Sequence, residues 1–206
     1  MAEADRDKWN ERHRDGYAAH GLPSAVLRQW IDRIPRGRAL DLACGSGRNA
    51  LFLAANGFEV DAVDISDVAL DLGRQRSRAA GLRVNWIEQD LDRPLDGSLA
   101  ESPNSPLAES LYGADSYTLL LVVRFVDLPL IRRLTDTLAP GGMLVSEQHI
   151  VTDAAVGGPS DPAFRLQPGA LREVAEGLRV LAYEERLVED PGQQPMALAR
   201  LVAQKP

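Results

Sequence analysis

The run Leu40-Asp41-Leu42-Ala43-Cys44-Gly45-Ser46-Gly47-Arg48-Asn49-Ala50 constrains the chain more than any other stretch, because it carries a strand through a glycine turn straight into a helix. At such a turn the backbone reverses sharply and comes close to whatever lies above it, and any side chain larger than hydrogen obstructs both. Alone the pattern is weak. Tight strand-helix packing also uses it, and a dinucleotide fingerprint wants a third glycine where this chain has Ala50.

The surroundings narrow the choice. Hydrophobic patterns of period two and period 3.6 alternate, predicting strands over 38–42, 58–63, 83–88, 116–123 and 143–150 and helices over 49–56 and 67–80, the second capped by Ser66. The unbroken run Leu119-Leu120-Leu121-Val122-Val123 is that of a central strand covered on both faces. Asp127 caps a further helix with a stripe of Leu130, Ile131, Leu134 and Leu138, which Pro140-Gly141-Gly142 is expected to end. After a helix near 169–176 come two strand-like runs, 179–187 and 196–202, around Asp190-Pro191-Gly192, turn chemistry for an antiparallel hairpin. The fold class is therefore α/β: a Rossmann-like, seven-stranded, mainly parallel sheet with helices on both faces and a C-terminal antiparallel hairpin.

Residues 22–206 read as one domain, and 1–21 as an N-terminal arm or lid. Residues 23–34 carry helical spacing, with Pro23 and Ser24 as start signals. In the arm Trp9, His13 and Tyr17 stand four apart, one face of a helix. Segments 92–113 and 152–162 are rich in Pro, Gly and Ser and read as loops.

Composition limits the partners. A net charge of −7 and 30 acidic against 23 basic side chains count against salt-driven binding to nucleic acid. Lys8 and Lys205 are the only lysines, which suggests genomic base composition before an arginine-lined site. The single Cys44 cannot form an internal disulfide and, with three histidines, is thin material for a metal site, so none is expected. No stretch approaches the ~20 apolar residues of a membrane span, and residues 1–14 lack the apolar block of a signal peptide. A cytoplasmic protein is expected.

Three carboxylates close successive strands. Asp64 ends the second, where it can accept hydrogen bonds from both ribose hydroxyls of an adenosine-like ligand; the bland alternative, a helix cap, is better served by Ser66 and Asp67. Asp90, in Gln89-Asp90-Leu91, follows the third strand, where it can accept from an exocyclic adenine amine beside an apolar wall. With Asp41 they fall on the edge where open parallel sheets bind ligands.

Asp41-x-x-x-Gly45-x-Gly47, Asp64, Asp90-Leu91 and Pro140-Gly141-Gly142, in this order, resemble the signposts of class I S-adenosylmethionine-dependent methyltransferases, over about residues 23–205. Trp9-Asn-Glu-Arg12, Gly45-x-Gly47-Arg48-Asn49-Ala50 and Gly57-Phe58-Glu59-Val60 are similar to the small bacterial group that includes tellurite- and thiopurine-type methyltransferases. The resemblance implies S-adenosylmethionine as cofactor. It implies that the backbone at Ala43, Gly45 and Gly47, on the turn begun at Asp41, holds the methionine part, and that Asp64 holds the ribose. Ile65 would then pack on the adenine, and Asp90 and Leu91 would meet its amine and edge. Val122 and Val123 would flank the methyl group, and Trp9 and Arg12 would close the pocket, Arg12 near the cofactor carboxylate. His13 stands where that group often has Tyr.

Methyl transfer from a sulfonium is an in-line displacement, so positioning is the enzyme's main task. His149, closing the fifth strand, is a candidate base, with a hydrogen-bonded structural histidine as the bland reading. Arg124, directly after the fourth strand, can hold an anionic substrate or pair with a nearby carboxylate. Arg165 is a third candidate. The expected function is methylation of a small-molecule acceptor. The rivals are an RNA or protein methyltransferase, an NAD-binding oxidoreductase and a cofactor-binding regulator without turnover.

Overall fold

The computed structural model describes residues 2–16, 21–91, 113–189 and 194–206. Tyr17, the turn at Asp190-Pro191-Gly192 and all but the end of the loop expected over 92–113 lie outside them. Seven strands, β1 (Arg38–Leu42), β2 (Glu59–Asp64), β3 (Asn85–Glu88), β4 (Tyr117–Val123), β5 (Leu138–His149), β6 (Arg179–Val188) and β7 (Met196–Gln204), form one sheet in the order β3-β2-β1-β4-β5-β7-β6. The pairs from β3 through to β5 are parallel, and β7 runs antiparallel to both β5 and β6.

The centre of the sheet is apolar on both faces, as Leu119-Leu120-Leu121-Val122 requires. Leu119 and Leu121 pack with Val26, Leu27, Leu53 and Leu70, while Leu120 and Val122 pack with Ile131, Leu134 and Leu144. The first set comes from α2 (Ala25–Trp30), α3 (Arg48–Ala55) and α4 (Asp67–Ala79), the second largely from α5 (Leu128–Leu134); α1 (Ala2–Arg14) and α6 (Ala170–Glu173) are the other α-helices among the described residues. Asp61, buried on β2, ties four strands together by accepting from Arg38 (2.7 Å), Asn85 (2.7 Å) and Tyr117 (3.0 Å).

Two caps follow the sequence. The Ser66 hydroxyl accepts from the Ala69 amide (3.1 Å) and the Asp127 carboxylate from the Leu130 amide (2.9 Å), satisfying orphan donors of α4 and α5. The end of α5 departs from expectation. The helix stops at Leu134 rather than running to Pro140, because Thr135 and Thr137 donate their hydroxyls to the carbonyls of Arg132 (2.6 Å) and Leu134 (2.7 Å) and tighten the chain into a 3-10 turn. Leu138 thus opens β5, and Pro140-Gly141-Gly142 lies inside that strand at an irregularity against β4. A Cβ at Gly142 would stand 2.8 Å from the carbonyl oxygens of Ala139 and Tyr117, so the glycine permits this close approach. Among the described residues no helix is long and apolar enough to cross a membrane.

Candidate active site at the carboxyl ends of the strands

The turn between β1 and α3 is built from left-handed backbone. Ala43, Gly45 and Gly47 have φ of 51°, 55° and 80°. For Ala43 such a conformation costs about 1–2 kcal/mol and marks a site held in place by its surroundings. The Cys44 amide continues the sheet ladder to the Val63 carbonyl (2.9 Å), and the Gly45 amide turns to donate to Asp64 Oδ2 (2.7 Å). The Ser66 amide donates to Asp64 Oδ1 (2.9 Å). Asp64 is therefore fixed across the turn and leaves helix capping to Ser66. Burial raises its pKa, against the lowering effect of those amides and of nearby His13.

Asp41 lies beneath the turn, 1% exposed, and its carboxyl is pushed up to about 7 by burial against the opposing influence of Arg48 and the Ala50 amide. Its Oδ2 has no hydrogen-bond partner among the described residues. A buried, unpartnered acceptor is costly unless a donor arrives.

The two glycines do different work. A Cβ at Gly45 would stand 3.5 Å from the His13 ring, ordinary contact, so this glycine faces the His13 side chain of α1. A Cβ at Gly47 would stand 2.1 Å from the Trp86 ring, and one at Gly73 2.5 Å from it. Trp86 thus lies in a slot between two glycines, and packing is enough to require Gly47.

The amino-terminal arm lies over this turn. Asn10 of α1 is buried, donating to Asp67 (2.6 Å) and accepting from the Ser66 hydroxyl (2.7 Å). His13, one helical turn on, is also buried and faces Gly45 and Asp64. Trp9 meets Phe164 edge to face with centroids 6.4 Å apart, and Lys8 stands over the same Phe164 ring. Helix α1 therefore bridges from the start of α4 to the segment after β5. Arg12 is exposed and stacks on Trp9. Asn10 stands within the Trp9-Asn-Glu-Arg12 motif but was given no role by sequence, although its i, i+3 relation to His13 is the signal that finds it.

At β3 the Gln89 amide donates to the Asp64 carbonyl (2.9 Å), which carries half-buried Asp90 beyond the strand end; Leu91 is buried in the core and Ile65 is half-buried. Val122 is fully buried among core residues, and Val123 is 8% exposed. Arg124 follows with φ of 62°. His149 is buried with Nδ1 lacking a partner among the described residues, packed so closely under Gly158 that a Cβ there would stand 2.6 Å from its ring. Burial, then Arg124 and Arg165, lower its pKa to about 4. Arg165 is not available to a ligand: its guanidinium donates to the carbonyls of Pro159 (2.9 Å), Ile150 (3.1 Å) and Gly157 (3.1 Å), clamping the loop. A cavity of about 690 Å³ lined by Arg38, Phe58, Arg74 and Trp86 opens beside β3, near the amino-terminal ends of β1 and β2.

Residues 39–102 match the family model of a methyltransferase domain. Ribosomal RNA small subunit methyltransferase B of Thermus thermophilus is 41% identical over 65 residues, 32% of this chain but only 16% of that protein, so the chain spans a small part of that relative's length. Among solved structures, TehB from Haemophilus influenzae superposes with a TM-score of 0.71 at 18% identity, covering 96% of this chain and 67% of that one. Magnesium protoporphyrin IX methyltransferase (ChlM) from Synechocystis PCC 6803, with bound SAH, superposes with a TM-score of 0.68 at 15% identity over the whole of both chains. The superpositions show that the chain shares the fold of these two proteins, and the methyltransferase-domain match falls on the segment from β1 through the glycine turn to beyond β3.

Proposed function

We propose that the protein transfers a methyl group from S-adenosylmethionine to a small-molecule acceptor. One observation carries the reading: Asp64, buried at the end of β2, has both carboxylate oxygens anchored by backbone amides of the turn and keeps further lone pairs for ribose hydroxyls. The unpartnered Oδ2 of Asp41 fits the same ligand, as an acceptor for its ammonium end. The backbone at Ala43, Gly45 and Gly47 holds the methionine part, Ile65 and Leu91 line the adenine, and Asp90 takes its amine. Val123, with Val122 behind it, flanks the methyl group.

When bound, the cofactor supplies an electrophilic methyl group on a sulfonium. The chain's own contribution is positional. Helix α1 is the lid, with His13 over Gly45, and Trp9 and Arg12 stacked at its rim, excluding water once Trp9 meets Phe164. His149 takes the acceptor's proton. With its pKa lowered to about 4 it is uncharged at neutral pH, and a base this weak suffices because methylation itself acidifies the proton to be lost. A flat rate between pH 8 and pH 6 is expected in steady-state assays; an inflection near 6.5 would point to an ordinary histidine.

A small acceptor is supported by ChlM, whose name gives a porphyrin as substrate, and by the acidic net charge, which disfavours polyanions. Calorimetry with S-adenosylmethionine tests the cofactor half. Asp64→Asn is expected to weaken binding by about tenfold or more; no binding by the wild type, or equal binding by the variant, overturns the reading. Labelled methyl passing to RNA or protein in preference to a small-molecule extract would overturn the acceptor class.

A further inference from the structure

Resting on that reading, we infer that the methyl acceptor carries a carboxylate, held by the Nε–Nη2 edge of Arg124. Arg124 sits where the acceptor would meet the cofactor, just past the carboxyl end of β4, in left-handed backbone fixed by the hydrogen bond its amide donates to the Glu147 carbonyl (2.8 Å). Its Nε is buried without a hydrogen-bond partner among the described residues. Nη2, on the same edge, has among the described residues only the Met196 thioether (3.5 Å) and a long approach to Glu147 (3.9 Å). A buried guanidinium donor without an acceptor is expensive, and an arriving anion removes that cost.

Glu147 does not fill the role, because it is committed elsewhere. Arg200 donates from Nε to Glu147 (2.8 Å) and from Nη1 to Glu184 (3.2 Å), so β5, β7 and β6 carry a Glu-Arg-Glu row, buried at Glu147 and Arg200 and part-exposed at Glu184. Arg186 also reaches Glu184 (3.2 Å), so Arg124, Arg165, Arg186 and Arg200 face Glu147 and Glu184, an excess of two positive charges at this corner of a protein whose net charge is −7. Arg165 spends its donors on three carbonyls. The unspent donors are therefore those of Arg124, and His149 beside it is uncharged and has an Nδ1 without a partner among the described residues to add a second contact. The planar Nε–Nη2 edge matches a planar carboxylate in a two-point contact, whereas a phosphate would call for more donors than this corner leaves unspent.

The test uses the full chain with isotope-labelled arginine, titrated separately with benzoate, benzamide and inorganic phosphate, with and without S-adenosylhomocysteine. Benzoate is expected to shift one arginine Nε–H resonance that is missing from the Arg124→Lys spectrum. Uncharged benzamide should bind about tenfold more weakly, and phosphate more weakly than benzoate. Benzamide equal to benzoate, phosphate stronger than benzoate, or a shifted resonance that persists in Arg124→Lys overturns the assignment. The two readings fail separately: S-adenosylhomocysteine binding without benzoate binding removes the carboxylate site alone. Benzoate at Arg124 without S-adenosylhomocysteine binding removes the methyltransferase reading and leaves an anion site.

Discussion

Asp41 and His149 are buried at the same edge of the sheet and titrate in opposite senses. Asp41 holds its proton to about pH 7 in the folded chain against an ordinary 3.8, so its contribution to stability is complete below 3.8 and lost as pH rises to 7. His149 is the reverse: with 4 in place of 6.5, its contribution is complete above 6.5 and lost as pH falls to 4. Each contributes a slope of about 1.4 kcal/mol per pH unit, and between pH 4 and 6.5 the two oppose one another. Relative to the wild type, the melting temperature of Asp41→Asn should fall more steeply on acidification across that window, and that of His149→Asn should fall less or rise. Calorimetry in matched buffers checks this, and slopes shifted in the same direction would contradict it.

Among the elements, the Trp86 slot makes α4 depend on β3. Gly73→Ala in an open helix would stabilise by about 1 kcal/mol, but here the new Cβ meets the indole at 2.5 Å. A net loss of about 1–3 kcal/mol is expected in urea denaturation, much of it recovered in the double variant Gly73→Ala with Trp86→Leu. Helix α1 should behave as a coupled lid: Trp9→Ala and Phe164→Leu should each speed S-adenosylhomocysteine release in stopped-flow, and the pair should do little more than either. The strands and the Ser66 and Asp127 caps were legible in the sequence because they rest on periodicity and local hydrogen bonds. The end of α5 was not, since Thr135 and Thr137 stop it by bonding back to carbonyls, which no hydrophobic pattern records. The turn's carboxylates were legible from strand-end spacing. The role of Asn10 and the Trp86 contact of Gly47 were not, because each depends on a partner distant in sequence, and the commitment of Arg165 was not, because it depends on the path of its own loop.

At the scale of the whole molecule, charge is arranged by place rather than by sum. The Glu147-Arg200-Glu184 row, buried at Glu147 and Arg200, fastens the antiparallel corner, and Arg200→Met should cost about 3–5 kcal/mol by leaving buried Glu147 with only the long approach of Arg124, whereas replacing Glu147 and Arg200 together by apolar residues should cost far less. Chemical denaturation of both variants distinguishes a paired network from simple packing. The strand order adds a constraint in time. β7 is synthesised after β6 yet lies between β5 and β6, so β5 remains a raw edge until β7 emerges. That edge holds Met143, Leu144 and Val145, an apolar run able to template a neighbouring chain. Because β6 and β7 pair with each other along most of their length, the hairpin can form locally and then dock as a unit. Ribosome-bound chains that stop short of residue 196 are therefore the ones expected to need a chaperone.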